Sequence, residues 1–372
     1  MTVQTSYAEP LSTLEVHLDA IARNYLLLKK RLKAGADCAA VVKADAYGLG
    51  ASPVARALFD QGCRHFFVAH FDEALVLRHA LPEKDAVVYV LAGPWGADKK
   101  AFTAGGFVPV LNSPGDIEYW SAFSSADGKR YPCLLHLDTG MNRLGLSAGE
   151  AGALSGDKAV LQPLDVRYVM SHLACADEPE HPKNLEQLEL FRKLTAQLQM
   201  PCRYSLANSA GIFLGPDFHF DLARPGCALY GIKPRETGTN PMQGTVTLKG
   251  RILQTRAIDI SSTVGYGASY RALAPANCAT VSVGYADGYL RSLTGRGKVV
   301  IGGETCPVIG RVSMDAIIVD TTKMAQQPRA GDWAEIIGAA QTVDEVAEQA
   351  GTIGYEILTS LGKRYRRSYT GG

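Results

Sequence analysis

The stretch Ala39-Ala40-Val41-Val42-Lys43-Ala44-Asp45-Ala46-Tyr47-Gly48 joins a short apolar segment to one lysine and then to a loop of small residues. An apolar run rich in β-formers that stops at a polar residue predicts a buried strand ending at Lys43. An ammonium group at the edge of an apolar interior is disfavoured in its charged form, so its pKa falls and the amine becomes a nucleophile or base. Schiff-base chemistry needs such a lysine. A surface lysine at a strand end is the alternative that these residues alone leave open.

The same pattern, a short apolar run followed by a polar residue, repeats through the first part of the chain. Eight strand candidates alternate with helix-like stretches and lie at 38–42, 66–69, 87–91, 107–111, 133–137, 166–170, 204–206 and 221–223. This alternation predicts an (α/β)8 barrel, with a doubly wound sheet as the alternative. Barrel enzymes carry their chemistry at the carboxyl ends of the strands. The polar residues at those ends favour the barrel: Lys43, His136, His172, Asn208 and Arg224.

The residue pattern changes after about residue 231, where strand-like runs follow one another with little helical periodicity. A polar linker at 234–241 precedes strand candidates at 246–257, 279–283, 298–301, 316–319 and 334–337. We therefore predict an N-terminal barrel at 14–235 and a mainly β C-terminal domain at 236–372. The first 13 or so residues are a candidate to pack on this second domain.

Composition excludes several classes of protein. A net charge of +1 with 47% hydrophobic residues gives no electrostatic reason to expect nucleic acid or a membrane surface as a partner. Residues 1–13 lack a signal-peptide pattern, and no apolar stretch is long enough to span a bilayer. The 8 scattered cysteines indicate reduced thiols in a cytoplasmic protein and no metal site. The basic run at 363–367 is expected to be a solvated end or a subunit contact.

The loops after the seventh and eighth strand candidates carry a possible phosphate site. Such loops are the usual phosphate site of barrels, and here the Ser209 hydroxyl and the backbone amides of Gly226 and Cys227 can cradle an anion. A lysine on the first strand opposite a phosphate cradle fits pyridoxal 5'-phosphate, with Arg224 facing the pyridine nitrogen. Because a guanidinium keeps its proton, the ring becomes a weaker electron sink and side reactions are suppressed.

Nine motifs in order resemble the alanine racemase family from one end of the chain to the other. They are VVKADAYG (41–48), DTGMNRLG (138–145), SHLA (171–174), ANSA (207–210), RPG (224–226), GYG (265–267), GYADG (284–288), RVSMD (311–315) and IGYE (353–356). Each is an ordinary short sequence, but their order across both predicted domains makes chance untenable.

The resemblance implies a pyridoxal-phosphate-dependent racemase that is a homodimer, with active sites shared between one subunit's barrel and its partner's β domain. Racemisation needs a base on each face of Cα. By resemblance Lys43 serves the D-alanine face, and Tyr266 of the other subunit serves the L-alanine face. His172 is implied as the hydrogen-bond partner of Tyr266 and Arg224.

The resemblance also implies the remaining site residues. Arg143 would contact the phenolic oxygen of the cofactor and the carboxylate of the substrate, which the backbone amide of Met314 also binds. Tyr285 and Tyr355 would form the inner gate of the access channel, and Asp177, Arg291 and Arg311 would lie further out. The cofactor's phosphate and ring would be held by Tyr47, Asn208, Ser209, Gly226, Cys227 and Tyr355.

The sequence departs from the family pattern near Arg143. Where the family commonly has a carbamylated lysine that steadies this arginine, the chain has His136. Histidine forms no such carbamate, so we expect His136 itself, a chloride or a water to orient Arg143. Ser313 stands where a cysteine is common.

Other functions remain open at this point. A non-catalytic pyridoxal-phosphate-binding protein would lack the β domain, and a decarboxylase or aldolase would need a different carboxylate environment. A racemase acting on serine, lysine or arginine is harder to separate, because one methylene is worth only about 1–3 kcal/mol in a pocket. The usual product use is D-alanine for peptidoglycan, with a catabolic role as the alternative.

Overall fold

The computed structural model describes residues 9–95 and 98–371. The described residues divide into two compact units, one within Ile21–Gln243 and the other formed by 9–20 together with 244–371. We call them the barrel unit and the β unit. The part of the N-terminal packing prediction that concerns residues 1–8 lies outside the described residues.

The helices and strands of the described residues follow in chain order. The strands are β1 (Ser12–His17), β2 (Asp37–Cys38), β3 (Ala40–Val41), β4 (His65–Val68), β5 (Val87–Val90), β6 (Phe107–Leu111), β7 (Tyr131–His136), β8 (Leu164–Met170), β9 (Arg203–Ser205), β10 (Leu222–Ala223), β11 (Val246–Ile258), β12 (Thr263–Val264), β13 (Tyr270–Arg271), β14 (Ala276–Val281), β15 (Lys298–Ile301), β16 (Glu304–Ile309), β17 (Ile317–Asp320), β18 (Trp333–Ile337) and β19 (Arg366–Thr370). The helices are α1 (Leu18–Arg31), α2 (Lys43–Tyr47), α3 (Ala51–Asp60), α4 (Phe71–Ala80), α5 (Lys99–Ala104), α6 (Pro114–Asp127), α7 (Ala148–Gly156), α8 (Lys183–Leu198), α9 (Val343–Ala350) and α10 (Gly354–Thr359). Within the described ranges, no helix has both the length and the apolar character needed to cross a bilayer.

The barrel unit is built on parallel strands that close into a ring. Strands β3 to β9 pair in sequence order, and β10 pairs in parallel with β2. Backbone hydrogen bonds from Asp221 N to Tyr204 O (2.9 Å) and from Arg224 N to Ala207 O (2.8 Å) join β10 to the β9 side. Because both faces of such strands are covered, they are apolar throughout, and β6 is buried at every position. The predicted (α/β)8 barrel is confirmed.

The β unit is antiparallel and also closes on itself. Six strands pair in the order β14-β17-β16-β15-β18-β11, and a further pairing of β11 with β14 completes the ring. The long β11 bends, with a register shift between Ile252 and Gln254, so that its first half pairs with β1 and β18 and its second half with β14. The predicted mainly β C-terminal domain is confirmed as a fold.

Residues 14–20 cluster with the β unit, although the sequence placed them at the start of the barrel. The physical reason is the alternation in β1, where Leu14 and Val16 are fully buried while residues 13, 15 and 17 are half-buried. This amphipathic strand pairs with β11 on one side and with β19 on the other. A period of two residues suits a strand with one face on the core and the other partly exposed better than a barrel strand with both faces covered.

Candidate active site

Lys43 follows β3 and begins a turn with an unusual backbone. The next four residues, 44–47, have φ of 51°, 54°, 53° and 56°, which is the left-handed helical region, and Gly48 ends the turn at φ 83°. Hydrogen bonds from Ala46 N to Val42 O (2.9 Å) and from Gly48 N to Ala44 O (2.7 Å) hold it. Left-handed geometry costs an L-residue about 1–2 kcal/mol, so the surrounding structure must stabilise this turn.

The amine of Lys43 lies in a positive environment. Burial, followed by the charge of Arg143, lowers its pKa, while Glu73 acts in the opposite direction. A lowered pKa raises the fraction of free amine, which is the form that attacks a carbonyl or takes a proton. The predicted depression of the Lys43 pKa therefore has its structural cause in burial and in a neighbouring guanidinium.

Arg224 is a buried cation with neutral partners. Its side chain follows β10, is only 4% exposed, and donates hydrogen bonds to the Ser205 hydroxyl and to the Ser171 carbonyl oxygen (2.5 Å). Among the described residues it forms no ion pair with a carboxylate. Burial lowers its pKa to about 10, so the group stays charged at neutral pH. Such a charge is normally paired when buried, and an unpaired one marks a place for an anion or a strong acceptor.

His172 lies at the end of β8 in the same positive region. Burial, then Arg224 and Arg143, depress its pKa well below the usual histidine range, so the ring is neutral. The expected hydrogen bond between His172 and Arg224 is absent from the hydrogen bonds described for this region, where Ser171 and Ser205 take the guanidinium instead. Arg224 instead acts on His172 through its charge, which lowers the pKa of the ring.

The ring of His136, at the end of β7, has a defined tautomer. Its Nδ1 lies 2.8 Å from Asn112 Oδ1, and the Asn112 amide nitrogen donates to the carbonyls of Leu91 (2.9 Å) and Val110 (3.1 Å). Since the Asn112 oxygen can only accept, Nδ1 carries the proton and Nε2 is an acceptor. Burial and then Arg224 lower the pKa of His136 to about 4, which keeps this form at neutral pH.

The Arg143 loop returns to the strand from which it started. Asp138 Oδ1 accepts hydrogen bonds from the backbone of Gly140 (2.8 Å) and Met141 (2.9 Å), and Leu146 N donates to His136 O (2.8 Å). Arg143 itself is exposed, and its charge reaches Lys43 and both histidines. The loop thus brings a third cation to the carboxyl end of the barrel.

Ser209, Gly226, Cys227 and Tyr47, which the sequence placed around a phosphate, lie together. Ser209 Oγ accepts hydrogen bonds from Gly226 N (2.9 Å) and from Ala228 N (3.3 Å). A Cβ at position 226 would collide with the Tyr47 hydroxyl, so only glycine allows this approach. Burial raises the pKa of Tyr47, which keeps that hydroxyl protonated as a donor.

Asn208 holds the neighbouring loop. Its Oδ1 accepts from Gly211 N (2.9 Å), and its Nδ2 donates to Leu173 O (3.3 Å). Both side-chain groups therefore bind backbone, which fixes the loop that carries Ser209.

The site residues of the β unit lie on exposed turns. Tyr266, between glycines with φ of 75° and 69°, is 72% exposed. Tyr285 N donates to Ser313 O (3.0 Å) and Ala286 N to Met314 O (3.0 Å), so Tyr285 and Met314 are held on adjoining segments. Tyr355 is also exposed, in the first turn of α10.

Charged residues of the β unit support these turns. Arg364, in the basic C-terminal run, donates two 2.8 Å hydrogen bonds to buried Asp287 and one of 2.6 Å to Asp315. At least this residue of the run is therefore an internal ion-pair partner. Arg291 and Arg311 line an open cavity of about 510 Å³.

Sequence reasoning missed the residues that support the site. Ser171, Ser205 and Asn112 bind Arg224 or His136, and Tyr230 lies with its ring centroid 4.7 Å from that of Tyr47 and donates to Val41 O (2.9 Å). Ser171 and Ser205 stand at or just after the ends of strands, like the residues that were found. A small polar residue at the end of a strand could have identified these two serines from the sequence.

Comparison with known proteins gives consistent matches over the whole chain. The family model "Alanine racemase, N-terminal domain" matches residues 16–234, and "Alanine racemase, C-terminal domain" matches 245–369. The chain is 48% identical to an alanine racemase of Rhodospirillum rubrum, over 96% of each protein. It is also 48% identical to a catabolic alanine racemase of Agrobacterium fabrum, over 96% of this chain and 91% of the relative.

Solved structures agree with these matches. The alanine racemase from Bartonella henselae, with covalently bound pyridoxal phosphate, superposes with a TM-score of 0.94 and 41% identity, over 97% of this chain and 100% of the other. The biosynthetic alanine racemase of Pseudomonas aeruginosa has a TM-score of 0.89 and 35% identity, over 98% and 100%.

Proposed function

The chain belongs to the alanine racemase family, and on that premise we propose that it interconverts L-alanine and D-alanine with pyridoxal 5'-phosphate held on Lys43. The observation that carries the proposal is the cluster of cations at the carboxyl end of the barrel. Lys43, Arg143 and Arg224 lie there, and none of them forms an ion pair with a carboxylate among the described residues.

The residues present fit this cofactor. Its phosphate and phenolic oxygen are anions, and the site offers the cationic groups and the Ser209–Gly226 cradle beside the Tyr47 hydroxyl. Arg224, which stays protonated, supplies N–H donors for a ring nitrogen and cannot hand over its proton. When bound, the cofactor acidifies the Cα–H bond of an attached amino acid.

The proton transfers are assigned to two side chains. We propose that the free amine of Lys43 takes and returns the proton on one face of Cα, and that Tyr266 does so on the other. The lowered pKa of Lys43 supports its role, because it raises the fraction of the amine in the basic form. Arg143 and the backbone amide of Met314 would hold the substrate carboxylate, and Tyr285 and Tyr355 would restrict the channel.

Arg143 needs a partner that keeps it in place. We propose that the neutral ring of His136 provides it through Nε2, the acceptor nitrogen that its bond to Asn112 leaves available. A Cβ atom placed on Gly145, in the Arg143 loop, would lie 3.2 Å from Cδ2 of the His136 ring. Because Cδ2 is bonded to Nε2, the edge of the ring that carries Nε2 faces this loop.

Tyr266 is proposed to act on the barrel of a second copy, in a homodimer with shared sites. Several large apolar side chains of the β unit are exposed with it, such as Leu273 (87%) and Ile353 (60%). Such large apolar side chains would be less exposed to water if a partner subunit covered them, which supports the proposal.

We further propose a cytoplasmic enzyme that supplies D-alanine for peptidoglycan. Eight free cysteine thiols suit a reducing compartment. A catabolic role stays the alternative, since relatives named with and without "catabolic" are equally similar to the chain.

The test is racemisation of L- and D-alanine by the purified protein, read with its visible spectrum, beside Lys43→Ala and Tyr266→Phe. We expect activity in both directions and visible absorbance from the lysine-bound cofactor. Tyr266→Phe should keep the absorbance and lose racemisation, and Lys43→Ala should lose both. A protein that binds the cofactor but leaves alanine unchanged would contradict the proposal and point to serine, lysine or arginine, or to a binding protein.

A further inference from the structure

Glu73 is the third residue of α4, and each of its oxygens has a different task. Oε2 accepts hydrogen bonds from Ala69 N (2.7 Å) and His70 N (3.1 Å), which caps the start of the helix. Oε1 accepts a 2.6 Å hydrogen bond from Ala44 N. Ala44 is the first residue of the left-handed turn that follows Lys43, so one carboxylate joins a helix start to the active-site turn.

Two other helices of the chain offer a direct comparison. Glu150 caps α7 by accepting from the backbone and the hydroxyl of Ser147, both at 2.8 Å. Glu345 does the same at α9 with Thr342, at 2.6 and 2.9 Å. In these two capping boxes the glutamate bonds that the structure describes stay within its own helix start. The additional bond from Glu73 to a distant turn is therefore no requirement of helix capping.

The turn has a reason to need this bond. The hydrogen bonds within the turn are donated by the backbone N–H groups of Ala46 and Gly48. The N–H group of Ala44 donates instead to Glu73, which lies outside the turn. A left-handed run of non-glycine residues is disfavoured, and a charged acceptor at its first N–H opposes unwinding. Glu73 also places a negative charge near the Lys43 amine, against the effect of burial and of Arg143.

We propose that Glu73 is a positioning residue that locks the left-handed turn and thereby fixes the direction of the Lys43 amine. This rests on the proposed function in that Lys43 is taken as the cofactor lysine. Glu73 would act through the Ala44 backbone and would not touch the substrate.

The test compares Glu73→Gln and Glu73→Asp with the matched control Glu150→Gln. Glutamine has one acceptor oxygen and cannot serve both sides, and aspartate is one methylene too short to reach both. The first readout is hydrogen exchange over residues 43–50 in the cofactor-free protein. A hydrogen bond to a charged group accounts for about a tenfold or larger change in local opening. We expect exchange in this segment to rise about tenfold in both Glu73 variants and to stay unchanged in Glu150→Gln.

The second readout is the release rate of pyridoxal phosphate from the loaded protein, which we expect to rise about tenfold in the Glu73 variants only. Equal exchange at 43–50 in wild type and in both Glu73 variants would overturn the proposal, as would equal effects of Glu73→Gln and Glu150→Gln on this segment. A wild-type protein that takes up no cofactor would defeat the proposed function, while the exchange experiment would still decide the role of Glu73.

Discussion

The two ends of the barrel use the same kinds of side chain in opposite ways. At the amino ends of the strands, Arg203 lies 2.7 Å from Asp37, and its guanidinium lies 5.2 Å from the centre of the Tyr168 ring. His65 beside them is 2.9 Å from the Tyr89 hydroxyl. At the carboxyl ends, Arg224 is more deeply buried, and its hydrogen bonds within the described part of the chain go to a hydroxyl and a carbonyl. The charge of Arg203 is compensated by a carboxylate of the protein, whereas the charge of Arg224 is left for an anion or a strong acceptor to compensate.

The histidines follow the same division. Burial lowers the pKa of His65, but Asp37 opposes the shift. At the other end Arg224 and Arg143 add to the effect of burial on His136 and His172, and Asp138 opposes it only for His136. One end of the barrel is therefore electrically balanced and stabilises the fold. The other carries excess positive charge and is suited to an anionic cofactor.

The sharpest way to break this comparison is Arg224→Met set against Arg203→Met. Loss of a buried donor aimed at a reacting group lowers turnover by about 10²–10³-fold, so we expect Arg224→Met to reduce racemisation by that much. Its cofactor-free form should unfold no more easily than wild type, because an uncompensated buried charge has been removed. Arg203→Met should keep its activity. Kinetics and denaturant unfolding of both variants test this, and a strongly destabilised Arg224→Met would contradict it.

His136 predicts a dependence of stability on pH. The unfolded chain takes up this proton below pH 6.5, whereas the folded chain does so only near pH 4, so the free energy of unfolding falls as pH drops through that window. The loss is at most about 3 kcal/mol. His136→Asn should flatten the pH profile of urea unfolding between pH 6.5 and 4 by about that amount. His65→Asn should flatten it less, since Asp37 opposes the shift there, and equal flattening by both would refute the division between the ends.

Much of the cationic carboxyl end of the barrel could be predicted from the sequence, because the end of a strand is visible in a short stretch of residues. Lys43, His172 and Arg224 were found since each follows an apolar run. The left-handed turn was not, since none of residues 44–47 is a glycine and no local preference announces positive φ. Glu73 occupies a position where acidic residues are common, the first turn of a helix, and Ser171 and Ser205 reach Arg224 from distant strands. Contacts between residues far apart in sequence carry no periodic signal.

Ser209→Ala tests the cradle at the positive end. It removes the hydroxyl proposed to donate to the phosphate, a hydrogen bond to a charged group worth about 1.5–3 kcal/mol, and we expect pyridoxal phosphate to bind about tenfold more weakly. Ser205→Ala, whose hydroxyl serves Arg224 at the same end, is the control and should change turnover more than cofactor affinity. Equilibrium dialysis with pyridoxal phosphate gives the affinities, and unchanged affinity in Ser209→Ala would remove the cradle from the site.

The smallest effect is expected at the balanced end. Asp37→Asn leaves half-exposed Arg203 without its carboxylate, and surface pairs are worth at most about 1 kcal/mol. Urea unfolding should show a loss of that order, with racemisation unchanged. A large loss of activity would mean that the two ends of the barrel are coupled.

The pairing of β1 has a consequence for synthesis of the chain. This strand precedes the whole barrel unit in the chain, yet its neighbours are β11, more than 200 residues later, and β19, later still. On the ribosome β1 must therefore wait unpaired while all of Ile21–Gln243 emerges and can fold. A product truncated before β19 would leave one side of β1 without a partner, an open edge able to associate with other chains. The β unit is therefore fully paired only once synthesis has passed β19.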